Sequence, residues 1–110
     1  MSGRKPDLLQ GTLDLLILKA LVSEPLHGWA ISKRIQQLSS DVLLVNQGSL
    51  YPALYRLEDR GWIAGAEAES PERRRIKVYR LTPAGRKQLA EEVREWRAFS
   101  AAMNAVIGGA

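Results

Sequence analysis

SLYPALYRLEDRGWIAGAEAESPERRRIKVYRLTP, residues 49–83, decides the fold. Leu50, Leu54 and Leu57 recur at four- and three-residue spacing, which lines one face of a helix, and Gly61 closes that helix as a C-terminal cap. The period then changes. Trp62 to Glu69 and Arg75 to Leu81 read as two strands, with alternation at Ile76 and Val78 and a turn around Ser70-Pro71-Glu72. Thr82-Pro83 is an N-cap followed by a proline at the first helical position, so a last helix starts there and runs to roughly Gly108-Gly109. The start of the leucine-striped helix has two solutions. Ser49 as N-cap puts Pro52 in the first turn, where a missing amide proton is harmless; a start at Asn46 needs a local distortion at Pro52.

Upstream, Leu9, Leu13, Leu16, Ile17, Ala20 and Leu21 follow helical spacing until Glu24-Pro25 ends the pattern. A second helix follows Leu26-His27-Gly28, with Ile31, Ile35 and Leu38 on one stripe and Lys33, Arg34, Gln36 and Gln37 on the other. Ser39, Ser40 and Asp41 break it, and Val42 to Val45 lead into the third helix. Three helices, a hairpin and a long helix are the order of a winged helix-turn-helix, mainly α with one β-hairpin. Residues 1–81 form the winged unit and residues 82–110 a C-terminal dimerisation helix, all in one structural unit.

Composition narrows the function. The chain has 110 residues, 45% hydrophobic and 25% charged, the balance of one folded soluble domain. It has no cysteine and one histidine, which removes thiolate metal sites, disulfides and a thiol nucleophile; a cytoplasmic location fits. Asp14 and Lys19 interrupt the apolar run after the basic start, leaving neither a signal-peptide core nor a membrane span. With no phosphate-cradling glycine motif and no carboxylate cluster beside a base, nothing points to an enzyme, a metal or a cofactor. His27, beside Gly28 at a helix start, reads as a structural hydrogen-bonding residue.

The net charge of +4 is unevenly placed. Arg73, Arg74, Arg75, Lys77, Arg80, Arg86 and Lys87 lie in one stretch free of acidic residues, a candidate anion-binding surface on the hairpin. If the leucine stripe faces the core, Ser49, Pro52, Tyr55 and Arg56 turn outward with Tyr51 flanking them. Their hydroxyls, rings and guanidinium suit phosphates, base edges and thymine methyls of duplex DNA. The competing reading of Tyr51 and Tyr55 is half-buried packing. Lys33 and Arg34 are further backbone-contact candidates, or plain solvated positions.

On the last helix Leu89, Val93, Trp96, Ser100, Met103 and Ile107 make a heptad-like seam that needs a partner, most simply a second copy. A dimer would set two reading helices about one DNA turn, roughly 34 Å, apart. Trp96 reads as interface packing, or as part of an apolar slot that stacks a small aromatic effector. Two rival classes remain. A protein-interaction module would use the last helix for docking but would not need a basic wing. An RNA reader would expose aromatics on a sheet, whereas these lie on a helix.

Four segments resemble the PadR family of transcriptional regulators: Gln10-Gly11-Thr12-Leu13-Asp14-Leu15-Leu16-Ile17-Leu18, Leu26-His27-Gly28-Trp29, Gly48 through Glu58, and Tyr79-Arg80-Leu81-Thr82-Pro83-Ala84-Gly85. The resemblance runs from about Leu9 to Leu89 and is closest to the small subgroup with one C-terminal helix. It implies a homodimeric repressor on an inverted repeat, with Ser49, Tyr51, Pro52 and Tyr55 on the recognition helix and Arg73 to Lys77 on the wing. In some members of the family that the chain resembles, a tryptophan on the last helix stacks flat aromatic drugs or phenolic effectors across the dimer centre, and Trp96 occupies a similar region. Trp29 in place of tyrosine and Val78 in place of an aromatic are departures that stay apolar.

Overall fold

The computed structural model describes the backbone of residues 5–108 and the side chains of residues 11–108. Helix α1 (Lys5–Ala20) begins four residues ahead of the predicted stripe; Leu9, its first member, lies outside the residues whose side chains are described. A two-residue strand β1 (Leu26–His27) leads into α2 (Gly28–Leu38), then α3 (Gln47–Asp59), β2 (Ile63–Glu69), β3 (Arg75–Leu81) and α4 (Pro83–Gly108). The hairpin bounds match the sequence reading to within one residue. Strand β1 is new: it pairs antiparallel with β3, Leu26 opposite Tyr79 and His27 opposite Val78, making a sheet in the order β1-β3-β2. A strand of two residues is too short to show a period.

The three amphipathic helices bury a common core. Ile17 and Leu18 of α1, Ile31 of α2, Leu50, Leu54 and Leu57 of α3 and Ile63 of β2 are fully or almost fully buried. Each full burial of such a side chain contributes about 1.5–3 kcal/mol. Leu38 does not join them. It is the last residue of α2, the chain turns away through Ser40 and Asp41 at φ of 52° and 69°, and the side chain stays 68% exposed.

Helix α3 starts at the earlier of the two candidate positions. Asn46 is the N-cap, its Oδ1 accepting from the Ser49 amide at 2.8 Å, so Ser49 lies in the first turn and Pro52 inside the helix. Proline there leaves the Gly48 carbonyl without its usual donor, a loss tolerated because Gly48 and Pro52 are on the exposed side. At the other end the Gly61 amide donates to the Glu58 carbonyl at 3.0 Å and the Trp62 amide to that of Leu57 at 3.0 Å, with Gly61 at φ +77°. Thr82 ties the turn after α3 to the start of α4: its hydroxyl donates to the Gly61 carbonyl at 2.7 Å and accepts from the Gly85 amide at 3.0 Å, capping α4 as the sequence indicated.

Strand β3 turns the opposite face inward from the one the Ile76–Val78 alternation suggested. Tyr79 and Leu81 are buried, while Ile76 and Val78 are half-buried on the other face. Because side chains alternate along a strand, Lys77 shares the inward face with Tyr79.

Candidate nucleic-acid interface

On α3 the buried leucines leave one side open. Tyr55 is 79% exposed and Tyr51 45%, and Ser49 and Pro52 are exposed beside them. The tyrosines are therefore surface residues, although the Tyr51 ring also rests against the backbone of Gly28 at the start of α2.

Arg56 does not turn outward as expected. Its Nη2 donates to Asp14 Oδ1 at 2.7 Å, its side chain is 28% exposed and that of Asp14 12%. Asp14 is the buried charged residue of α1, and the pair links α1 to α3 across the edge of the core. A buried charge of this kind is held by its partner rather than by water.

Lys77 is also held by a carboxylate, although its side chain stays 46% exposed. From the inward face of β3 its ammonium donates to Glu58 Oε1 at 2.9 Å, and it lies 5.5 Å from the Tyr79 ring centroid. The bond to Glu58 holds the Lys77 pKa above its ordinary value despite some desolvation. The other oxygen of Glu58 accepts from the Gly65 amide at 3.3 Å.

The wing tip carries the free charges. Ser70 organises the turn: its carbonyl accepts from the Arg73 amide at 2.8 Å, its amide donates to the Arg74 carbonyl at 2.8 Å and its Oγ accepts from the Arg74 amide at 3.1 Å. Arg73 sits at φ 66°. The side chains of Arg73 and Arg74 are exposed and have no ion pair among the described residues. Arg75 faces Glu67 at 3.5 Å, a solvent-exposed pair that adds little stability. On α2, Lys33 lies 5.4 Å from the centroid of the exposed Trp29 ring, which stacks on His27; Arg34 is held by Glu24 at 2.6 Å.

Along α4, Leu89 packs on the core and Val93 is half-buried, but Trp96, Met103 and Ile107 are exposed. So are Phe99 and Val106, which the heptad spacing did not single out. Trp96 and Phe99, 6.0 Å apart, line an open groove of about 400 Å³ against Gly11, Thr12 and Leu15 of α1, with Glu92 and Glu95 beside them.

A three-helix core with an exposed polar and aromatic face on the third helix, followed by an arginine-tipped hairpin, defines a winged-helix DNA-binding protein. Comparison with known proteins narrows the class. The chain matches the model of the transcriptional regulator PadR-like family over residues 17–91 and belongs to that family. It is a DNA-binding transcriptional regulator, not an enzyme. It is 37% identical to the transcriptional regulator Rv3488 of Mycobacterium tuberculosis over 95 residues, covering 86% of this chain and 82% of that one. A transcriptional regulator from Clostridium thermocellum superposes with a TM-score of 0.83 at 30% identity, covering 92% of this chain and 98% of the other. A PadR-like regulator from Bacillus cereus gives 0.75 at 28% identity, covering 92% and 96%. Among the described residues, no helix is long and apolar enough to cross a membrane and no group of His, Cys, Asp and Glu side chains has the makings of a metal site.

Asp14, Glu58 and Gly65 are the residues that sequence reasoning passed over. Asp14 left a signal, a lone carboxylate inside an apolar helical run. Glu58 and Gly65 left none, because their roles depend on which face of β3 meets α3.

Proposed function

We propose that the protein is a homodimeric repressor that reads an inverted repeat in duplex DNA and is released by a small aromatic effector. The carrying observation is the pairing of an exposed tyrosine face on α3 with unpaired arginines at the wing tip. Ser49, Tyr51, Pro52 and Tyr55 read base edges and thymine methyls, while Arg73, Arg74 and Arg75 neutralise backbone phosphates. Lys33 adds a phosphate contact at the flank. The second copy covers the exposed seam of Trp96, Met103 and Ile107, since so long a row of apolar side chains is costly in water. The groove beside Trp96 and Phe99 suits a flat aromatic molecule, and the carboxylates of Glu92 and Glu95 favour a cationic one.

A gel-shift titration against the upstream region of the protein's own gene, with random duplex as competitor at near-physiological salt, tests the reading. Retention in a large excess of competitor is the expected result. Binding no tighter than to random DNA, together with capture of a protein partner by α4, would replace the repressor with an interaction module.

A further inference from the structure

We propose that Asp14 and Glu58 are positioning residues for DNA recognition: acting through Arg56 and Lys77, they grip α3 from its two flanks and fix its rotation about its own axis. The inference rests on the DNA-binding reading and reassigns two cations that the sequence placed among the DNA contacts. Arg56 and Glu58 are two positions apart, about 200° around a helix of 3.6 residues per turn. The core leucines fill one side between them and Pro52 and Tyr55 the other. One tie runs from Arg56 to α1 at 2.7 Å, the other from Glu58 to the wing through Lys77 at 2.9 Å and the Gly65 amide at 3.3 Å.

The buried face of α3 sets its rotation through shape, since apolar contacts are individually non-directional. Directional bonds on opposite flanks restrict that rotation further: the Arg56–Asp14 pair is 28% and 12% exposed, and the more open Lys77–Glu58 pair, 46% and 31% exposed, is backed by the Gly65 amide on the other Glu58 oxygen. Gly65 lies on the path of the second tie. A Cβ at Gly65 would run into Lys77 Cε and stand 3.2 Å from both Glu58 Oε2 and Tyr79 Cε1, so the absence of a side chain there opens the path by which Lys77 crosses to α3.

The test uses a duplex that the wild-type protein selects from a random-sequence pool, compared with a scrambled duplex of the same composition. Glu58→Gln and Lys77→Met should each lower the preference for the selected duplex about tenfold, the scale of one misplaced base contact. The double variant should lose no more than either single one, because both break the same tie. Affinity for the scrambled duplex and the salt slope should hold. If Lys77→Met instead weakens both duplexes alike and lowers the salt slope by about one, Lys77 is a phosphate contact and the proposal fails. If Glu58→Gln strengthens both duplexes, Glu58 is only a repulsive charge, and the proposal also fails.

Hydrogen exchange of the free protein reads the ties without DNA and covers a failure of DNA recognition itself. Amides of α3 should exchange faster in Glu58→Gln and in Asp14→Asn than in the wild type, while β3 amides hold. Unchanged α3 exchange in Glu58→Gln overturns the proposal whatever the DNA result; faster exchange throughout the chain in Asp14→Asn marks general destabilisation, and Glu58→Gln then decides.

Discussion

The hydroxyl end of the Tyr51 phenol lies against Gly28: a Cβ at Gly28 would stand 2.9 Å from the Tyr51 hydroxyl oxygen and 3.0 to 3.1 Å from the ring carbons Cε1 and Cζ. The first residue of α2 thereby sets the orientation of an exposed aromatic on α3. Gly28→Ala should push the ring outward into solvent, where it has room to move. Stability should stay within about 1 kcal/mol of wild type, since alanine favours helix over glycine. Preference for the selected operator should fall. Thermal unfolding and competitive gel shifts measure the two effects separately, and an unaltered preference would remove Tyr51 from base recognition.

Asn46, not Ser49, caps α3, and the two substitutions should separate cleanly. Asn46→Ala removes the acceptor of the Ser49 amide and should cost about 1 kcal/mol. Ser49→Ala should leave stability almost unchanged but weaken operator preference, because the hydroxyl is exposed on the reading face. Urea unfolding of both variants checks the first statement and competitive binding the second.

The wing-tip arginines should act on all duplexes alike. Arg74→Ala removes a free charge, and Arg73→Gly removes one while suiting the left-handed backbone at φ 66°. Together they should lower the salt slope by about one for each phosphate that is no longer neutralised, with little change in sequence preference. Binding measured across a salt series gives the slope; an unchanged slope would take the wing tip out of the mechanism.

On α4, Met103→Glu and Ile107→Glu place charges on side chains that are 45% and 69% exposed in the single chain. The fold of the chain should survive, while sedimentation should show monomer in place of dimer. Operator binding should fall steeply, because each half-site then binds without its partner. A dimer that persists with both charges present would locate the self-association surface elsewhere.

Much of the architecture follows from local pattern. The leucine spacing of α3, the change of period after Gly61 and the Thr82-Pro83 start are properties of neighbouring residues, and neighbours are what a sequence displays. The exposed face of α3 was legible for the same reason, since a helix with a leucine stripe has only one other side. The basic run placed the wing charges in one stretch and the four-three spacing placed Trp96, Met103 and Ile107 on one seam.

The use of individual charges was decided only in three dimensions. Arg56 meets a carboxylate 42 positions away and Lys77 one 19 positions away, and no local period links such residues. Whether Lys77 serves the wing or the core side depends on which face of β3 packs on α3, a choice made by Tyr79 and Leu81 against the leucine core and not by the alternation of Ile76 and Val78. Leu38 reads as core by spacing and is exposed because α2 ends under it. The sequence by itself determined the winged-helix order, the exposed face of α3 and the apolar seam of α4, through hydrophobic period and capping. The tertiary structure decided which cations meet a carboxylate and which do not, because only folding brings Asp14 to Arg56 and Glu58 to Lys77 within bonding distance.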